Sequence, residues 1–154
     1  MNRKFQFEAE IYQTLSCLPM AARRKLDAAG IKIGREQWGK LSRAERLKIC
    51  DAAADSSGEI DALRLYIDKT VLARAGSRPT ELSDDARKSA WPSAELPSQL
   101  AARALALGAP LTQSAWSALN DDERYALVKL GGEEHPKHNL HAALLELLGA
   151  RETR

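Results

Sequence analysis

The sequence has few β-branched and few aromatic residues. Val, Ile and Thr together number 13 of the 154 residues, against 26 Ala and 22 Leu, and aromatic residues make up 5% of the chain. Strands favour β-branched and aromatic residues, whereas Ala and Leu are strong helix formers. The composition therefore predicts an all-α fold and excludes a large β-sheet.

Long apolar runs and cysteine pairs are also lacking. No apolar run in the sequence approaches the roughly 18 to 20 residues that span a bilayer, and charged residues interrupt the first apolar positions, which argues against a secretory signal. The two cysteines, Cys17 and Cys50, are far apart and form no CxxC pair, a pattern typical of a reduced protein. We expect a cytoplasmic protein without membrane contact.

The chain carries little net charge, but that charge is unevenly distributed. An apolar content of 44% and a net charge of +2 disfavour disorder. Residues 1–77 hold 14 Lys and Arg against 10 Asp and Glu, whereas residues 78–154 hold 9 against 11. Much of the positive excess lies between Arg23 and Lys48. A basic stretch can bind nucleic acid, but a solvated helix face is the simpler interpretation at a pI of about 8.6.

An internal repeat is the most informative feature of the sequence. A displacement of 78 residues aligns Leu18-Pro19 with Leu96-Pro97, Lys25 with Arg103, Gly30 with Gly108, Trp38 with Trp116, and Glu45-Arg46 with Glu123-Arg124. We therefore predict an internally duplicated helical domain of two similar units, each of about four helices, related by the 78-residue offset and packed about a pseudo-twofold axis.

The repeat predicts the boundaries of the two units. Residues 1–75 form an amino-terminal unit with a short arm, residues 76–95 a linker with one helical turn, and residues 96–154 a carboxy-terminal unit, together one compact domain. In each unit a first helix follows a proline and ends at a glycine, a short second helix carries a tryptophan, and a capping box starts the third. The fourth helices end at Gly76 and Gly149. The arm is either extended or helical.

Positions that match between the halves are best explained by shared architecture, and unmatched positions are better functional candidates. The predicted structural residues are Pro19, Gly30, Trp38, Pro97, Gly108 and Trp116. The charged residues of the first half without a charged counterpart in the second are Arg23, Arg24, Asp27, Lys32 and Arg35. A charged first helix either faces a binding partner or is simply exposed to solvent.

Catalytic and metal-binding patterns are weak. His135, His138 and His141 are three residues apart, a spacing that drifts around a helix, whereas helical metal sites favour i and i+4. Cys17 precedes the first helix without a neighbouring histidine, which favours a packing role over a reactive one. We predict no catalytic residues, no metal site and no cofactor.

The amino-terminal third resembles a known family. The resemblance lies in Phe5-Gln6-Phe7-Glu8, Leu15-Ser16-Cys17-Leu18-Pro19-Met20, Arg23, Lys25-Leu26-Asp27, Gly30-Ile31-Lys32 and Gln37-Trp38. These residues look like the signature of the nitrate reductase-associated protein family, most specifically over residues 5–46. The resemblance implies a small bacterial accessory or maturation factor of assimilatory nitrate reductase, a molybdenum and iron–sulfur enzyme, with no catalysis of its own.

The resemblance and the residue analysis together favour a non-catalytic protein that binds nitrate reductase as a monomer or weak homodimer. The predicted partner-binding residues are Cys17, Met20, Arg23, Lys25, Asp27 and Lys32. Two alternatives are a helix-turn-helix-like nucleic-acid-binding protein, with Gly30 between its helices, and a metal carrier using Cys17, Cys50 or the histidines.

Overall fold

The computed structural model describes residues 5–132 and 137–152. The chain is mostly helical, with 67% of residues in helices and one small two-stranded sheet, which confirms the predicted helical class. After a 3₁₀ turn at Gln6–Glu8, the helices are α1 (Ala9–Thr14), α2 (Met20–Ala29), α3 (Arg35–Lys40), α4 (Arg43–Asp51), α5 (Ser57–Ala75), α6 (Asp84–Lys88), α7 (Ser98–Ala106), α8 (Gln113–Ser117), α9 (Asp121–Leu130) and α10 (Lys137–Glu152).

A short antiparallel sheet joins two segments that are distant in sequence. Strand β1 (Ile31–Lys32) pairs with β2 (Thr80–Glu81), with Ile31 opposite Glu81 and Lys32 opposite Thr80. The N–H of Leu82 donates to the carbonyl of Gly30 at 2.8 Å and extends the pairing. The segment expected to be a linker thus contributes a strand and the helix α6, which contacts α2.

The chain divides into two compact units. Unit 1 comprises Glu8–Trp91, and unit 2 comprises Phe5–Phe7 and the described residues from Pro92 onward. The core of unit 1 is built from α2, α3, α4 and α5, with Ile49, Ile67 and Val71 fully buried. In unit 2, α9 packs against α10, and its buried side chains include Trp116, Tyr125, Leu127, Leu140 and Leu144.

Local sequence signals set most helix ends. Gly30, Gly76 and Gly108 adopt the left-handed φ values of 75°, 74° and 74° that let a helix stop. Capping boxes start α4 and α9: Ser42 and Asn120 accept from the N–H three residues later, and Glu45 and Glu123 accept from the cap N–H. These starts and stops agree with the sequence-based prediction.

The structure corrects one predicted helix end and decides between the two forms that were left open for the arm. The prediction that Gly149 ends the last helix is wrong, because α10 continues to Glu152 and Gly149 is not among the glycines with positive φ. A glycine inside a helix costs only about 1 kcal/mol, which an otherwise favourable helix tolerates. The arm, for which extended and helical forms were both open, is helical from Gln6 to Thr14.

Trp38 organises the centre of unit 1. Its indole N–H donates to the carbonyl of Leu15 at 2.7 Å. The Arg46 guanidinium donates to the carbonyls of Trp38 (3.1 Å) and Gly39 (3.1 Å), and its Cζ lies 5.8 Å from the Trp38 ring centroid. These contacts join the loop after α1 with α3 and α4 around one buried indole.

Trp116 makes the corresponding contacts in unit 2. Its indole N–H donates to the carbonyl of Ser93 at 3.1 Å. The Arg124 guanidinium donates to the carbonyls of Trp116 (3.0 Å) and Ser117 (2.9 Å), with its Cζ again 5.8 Å from the ring centroid. Each of these residues lies 78 positions after its counterpart in unit 1, because 93 − 15, 116 − 38, 117 − 39 and 124 − 46 all equal 78.

Candidate functional site

Helix α2 carries four of the six residues predicted to bind a partner. Arg23 is exposed, Asp27 is half-buried, and Met20 and Lys25 are 7% and 5% exposed. Cys17 and Lys32 are both exposed, and they lie beyond opposite ends of this ten-residue helix. Since a helix rises 1.5 Å per residue, they are separated by roughly the 15 Å length of α2.

A buried carboxylate closes the amino-terminal end of α2. Pro19 occupies the N-cap position, and Glu8 Oε2 accepts a hydrogen bond from the Met20 N–H at 2.9 Å. Glu8 itself is 2% exposed. A carboxylate at a helix amino terminus satisfies an otherwise unpaired N–H and complements the helix dipole. Glu8 and Met20 therefore hold the helix in place rather than face solvent.

Lys25 is part of the packed interior rather than the exposed surface. Its Nζ donates a hydrogen bond to the carbonyl of Cys50 at the end of α4. The sequence contained a signal for this burial: Lys25 lies three residues after Ala22 and four before Ala29, on the apolar face of the helix. The spacing of Lys25 on the apolar face therefore indicates burial more strongly than its charge indicates exposure.

Gly30, at the carboxy-terminal end of α2, makes room for a side chain from α6. A Cβ added at Gly30 would lie 2.1 Å from Arg87 Nε and 2.6 Å from Arg87 Cζ, so the guanidinium lies directly over the glycine. The left-handed φ of 75° and this close approach both require glycine. Gly30 thus fixes the exit from α2 and the position of α6 together.

The exposed part of α2 continues into α6 and the residues after it. Arg24 Nε donates to the carbonyl of Ala90 at 2.8 Å, and the Arg24 Cζ lies 4.5 Å from the ring centroid of Trp91. The Ser89 hydroxyl donates to Asp27 Oδ2 at 3.4 Å. We call the surface formed by Arg23, Arg24, Asp27, Arg87, Lys88 and Trp91 the α2–α6 surface.

The sequence analysis did not identify three residues of this surface, namely Arg87, Lys88 and Trp91, and Trp91 is the apolar one among them. It is 49% exposed although it is one of the largest apolar side chains. A signal was available: two of the three tryptophans match at the 78-residue offset, whereas position 13, which corresponds to Trp91, is Gln13. By the rule that unmatched residues are functional candidates, Trp91 belonged with Arg23 and Asp27.

Cations predominate on the α2–α6 surface near the tryptophan. Arg23, Arg87 and Lys88 are exposed, and their side chains make no hydrogen bond or ion pair with any residue that the structure describes. The exposed carboxylates of Asp84 and Asp85 lie in the first turn of α6, whereas the cations lie in its last turn. The cation that lies directly against the indole is Arg24.

The residues of the two alternative interpretations lie elsewhere. The second helix of a helix-turn-helix-like pair would be α3, which has six residues, with Arg35 and Lys40 exposed and Trp38 buried. His138 is exposed and His141 half-buried, and His135 lies outside the described residues. Within residues 5–132 and 137–152, no three His, Cys, Asp or Glu side chains are grouped as metal ligands. Cys50 is a buried free thiol, whereas Cys17 is an exposed one, so the prediction that Cys17 has a packing role is wrong.

Comparison with known proteins defines the class of the chain. The protein is a small, mostly helical chain in which no described helix has the length and apolar character to cross a membrane. The family described as conserved nitrate reductase-associated protein matches residues 4–147, and the chain belongs to this family. Comparisons with curated proteins and with solved structures give no significant match.

Proposed function

We propose that this protein is a non-catalytic accessory factor that binds nitrate reductase through the α2–α6 surface. The family description supports association with that enzyme. The observation that supports this surface is the half-exposed indole of Trp91 held against the Arg24 guanidinium. Tryptophan and arginine are the residue types most enriched where protein interfaces concentrate their binding energy.

The Arg24–Trp91 pair is pre-organised, which distinguishes it from isolated exposed side chains elsewhere on the described surface. The Arg24 guanidinium is anchored by its hydrogen bond to the Ala90 carbonyl, and it lies against the ring that would contact the partner. A side chain that is already ordered loses less conformational entropy on binding. The indole N–H of Trp91 makes no hydrogen bond with a described residue, and it is available to a partner's acceptor.

The surrounding cations favour an acidic region of the reductase as the contact. Arg23, Arg87 and Lys88 lie on the α2–α6 surface, and Lys32 lies in β1, two residues beyond Gly30. Complementary charge at the rim of an interface mainly raises the association rate and selects the partner. Cys17 lies at the far end of α2 and is a peripheral member of this interface in our proposal.

We also propose that the helical repeats within residues 1–75 and 96–154 arose by internal duplication, and that the segment that follows the first repeat, up to Trp91, completes unit 1. The support is the recurrence of the tryptophan–arginine contacts, the capping boxes and the left-handed glycines at a constant offset of 78 residues. Under this proposal the shared residues maintain the architecture of both units, and the α2–α6 surface is the specialised feature of unit 1.

Co-purification with the reductase tests the proposed function. The tagged full chain and an Arg23→Glu/Lys88→Glu variant would be expressed in nitrate-grown cells lacking the native copy, and recovered nitrate reductase would be quantified by its activity. The wild type should retain the enzyme and the variant should lose it. A Lys40→Glu/Lys69→Glu variant reverses two exposed cations on α3 and α5, and it should behave as the wild type. Equal recovery with all three proteins would refute the proposed surface.

A further inference from the structure

A cleft of about 250 Å³ opens in unit 2 between the first turns of α7 and the end of α9. Its apolar walls come from Pro97, Leu100 and Val128, and the backbone of Gly131 and Gly132 forms one side. Val128 is 41% exposed, and the side chain of Leu100 lies 3.2 Å from where a Cβ of Gly131 would be. The cleft lies on a different unit from the α2–α6 surface.

Arg103 is the charged side chain that lines this cleft, and the polar side chain of Gln99 lines it as well. Arg103 is half-buried, and its guanidinium makes no hydrogen bond or ion pair with a described residue. A guanidinium presents several N–H donors in a fixed fork that matches the two oxygens of a carboxylate. Apolar walls lower the local dielectric and strengthen such a contact relative to one in open water.

The matching region of unit 1 has a cation at the same helix position and a carboxylate at the amino terminus of that helix. At the positions 78 residues earlier, Lys25 replaces Arg103 and Cys50 replaces Val128, and the Lys25 Nζ donates to the Cys50 carbonyl. There the buried carboxylate of Glu8 accepts from the N–H of Met20, in the first turn of the helix. This comparison rests on the proposed duplication.

Unit 2 has no equivalent carboxylate of its own. The position 78 residues after Glu8 is Ala86, which has no acidic group and lies in α6 of unit 1. The cation is therefore kept in unit 2 while the internal carboxylate is missing. In unit 1 a glutamate accepts from the N–H at the start of α2, whereas in unit 2 a cleft with an arginine on its wall lies beside the start of α7.

We propose that the unit 2 cleft binds an acidic side chain, a glutamate or aspartate presented by a partner polypeptide. Arg103 would donate to the carboxylate, while Pro97, Leu100 and Val128 would contact the methylene groups and the adjacent backbone. The positive charge of Arg103 and the apolar walls favour this occupant over a neutral or basic side chain.

A peptide titration monitored by NMR tests this proposal on the intact protein. The probe is the acetylated and amidated peptide of residues 5–14, which contains Glu8, and the matched probe has Gln at that position. Saturable shifts are expected for the amides of Gly131 and Gly132. The Gln peptide should bind about tenfold more weakly, the change expected for loss of one charge-assisted hydrogen bond.

Variants of the chain complete the test. Arg103→Gln should weaken binding of the Glu peptide by a similar factor, whereas Arg23→Gln on unit 1 should leave it unchanged. Val128→Glu places a carboxylate at the exposed rim and should block the cleft even if Arg103→Gln fails to fold. Trp91→Ala should leave peptide binding intact, so a failure here is distinguishable from a failure of the proposed reductase surface. Equal affinity for the two peptides, shifts elsewhere only, or free glutarate binding as tightly as the Glu peptide would overturn the proposal.

Discussion

The guanidinium of Arg24 lies 4.5 Å from the ring centroid of Trp91, and its Nε donates to the carbonyl of Ala90 next to that ring. Arg24 belongs to α2, whereas Trp91 follows α6, and the two segments are far apart in sequence. The pair therefore links a helix of the family motif to a segment outside it, and it fixes an apolar ring at the surface.

Replacement of Trp91 should affect function far more than stability. We expect Trp91→Ala to lower the free energy of unfolding by less than about 1 kcal/mol, because the ring is 49% exposed and an exposed cation–π contact contributes little. Nitrate reductase activity in cells that depend on the variant should fall strongly. Leu105→Ala removes a side chain that is 67% exposed on α7, and it should leave both quantities unchanged. Full activity with Trp91→Ala would remove this residue from the interface.

Substitution of two equivalent glycines should separate backbone strain from side-chain packing. At Gly108 an alanine would be strained only by the left-handed φ of 74°, since nothing lies within 4 Å of the added Cβ. Gly108→Ala should therefore lower the free energy of unfolding by about 1–2 kcal/mol. Gly30→Ala has the same φ but also collides with Arg87, so it should cost more. Urea denaturation measures the free energy of unfolding of both variants. In an Arg87→Ala background the two substitutions should cost the same, and a persisting difference would contradict the placement of Arg87 over Gly30.

The two cations Lys25 and Arg23 should respond differently to the same substitution. Lys25→Met removes the hydrogen bond from the buried Lys25 Nζ to the Cys50 carbonyl, and it should cost about 1–3 kcal/mol of unfolding free energy. Arg23→Met changes an exposed residue and should stay within about 0.5 kcal/mol of the wild type. Chemical denaturation compares the variants. Equal effects on stability would mean that Lys25 is exposed in solution.

The capping carboxylate of Glu45 should make part of the stability depend on pH. The hydrogen bond from the Ser42 N–H, followed by the interaction with Arg74, lowers the pKa of Glu45 below its ordinary value of 4.5. Because the folded pKa lies below the unfolded one, the ionised carboxylate stabilises the folded state above pH 4.5, and this contribution disappears as the pH falls through the folded pKa. The stability difference between wild type and Glu45→Gln should therefore shrink on acidification. A difference that is constant with pH would contradict the lowered pKa.

Sequence reasoning succeeded where the determinant was local. Left-handed glycines and capping boxes act within a few residues of the helix end, and both Gly30 and the Ser42–Glu45 box could be recognised from spacing alone. The same reasoning failed at Gly149, since a glycine stops a helix only when the chain turns there, and sequence does not reveal whether it turns.

The candidate site was only partly predictable because it depends on contacts between distant segments. Nothing local indicates that Thr80–Glu81 pairs with Ile31–Lys32, or that α6 lies against α2 and places Arg87 over Gly30. Arg23, Asp27 and Lys32 could be chosen because they lack charged counterparts in the second half. Met20 and Lys25 could not be separated from them by residue type, and only the spacing of Lys25 from Ala22 and Ala29 indicated that its side chain is buried.

The most direct test of the α2–α6 surface is the equilibrium affinity of the purified full chain for purified nitrate reductase. The account predicts that Trp91→Ala combined with Arg23→Glu weakens binding by at least 2 kcal/mol, roughly 30-fold, as expected for loss of an interface anchor. Lys40→Glu/Lys69→Glu, with circular dichroism to confirm folding, should bind as the wild type does. Unchanged affinity of the folded Trp91→Ala/Arg23→Glu variant would contradict the central claim.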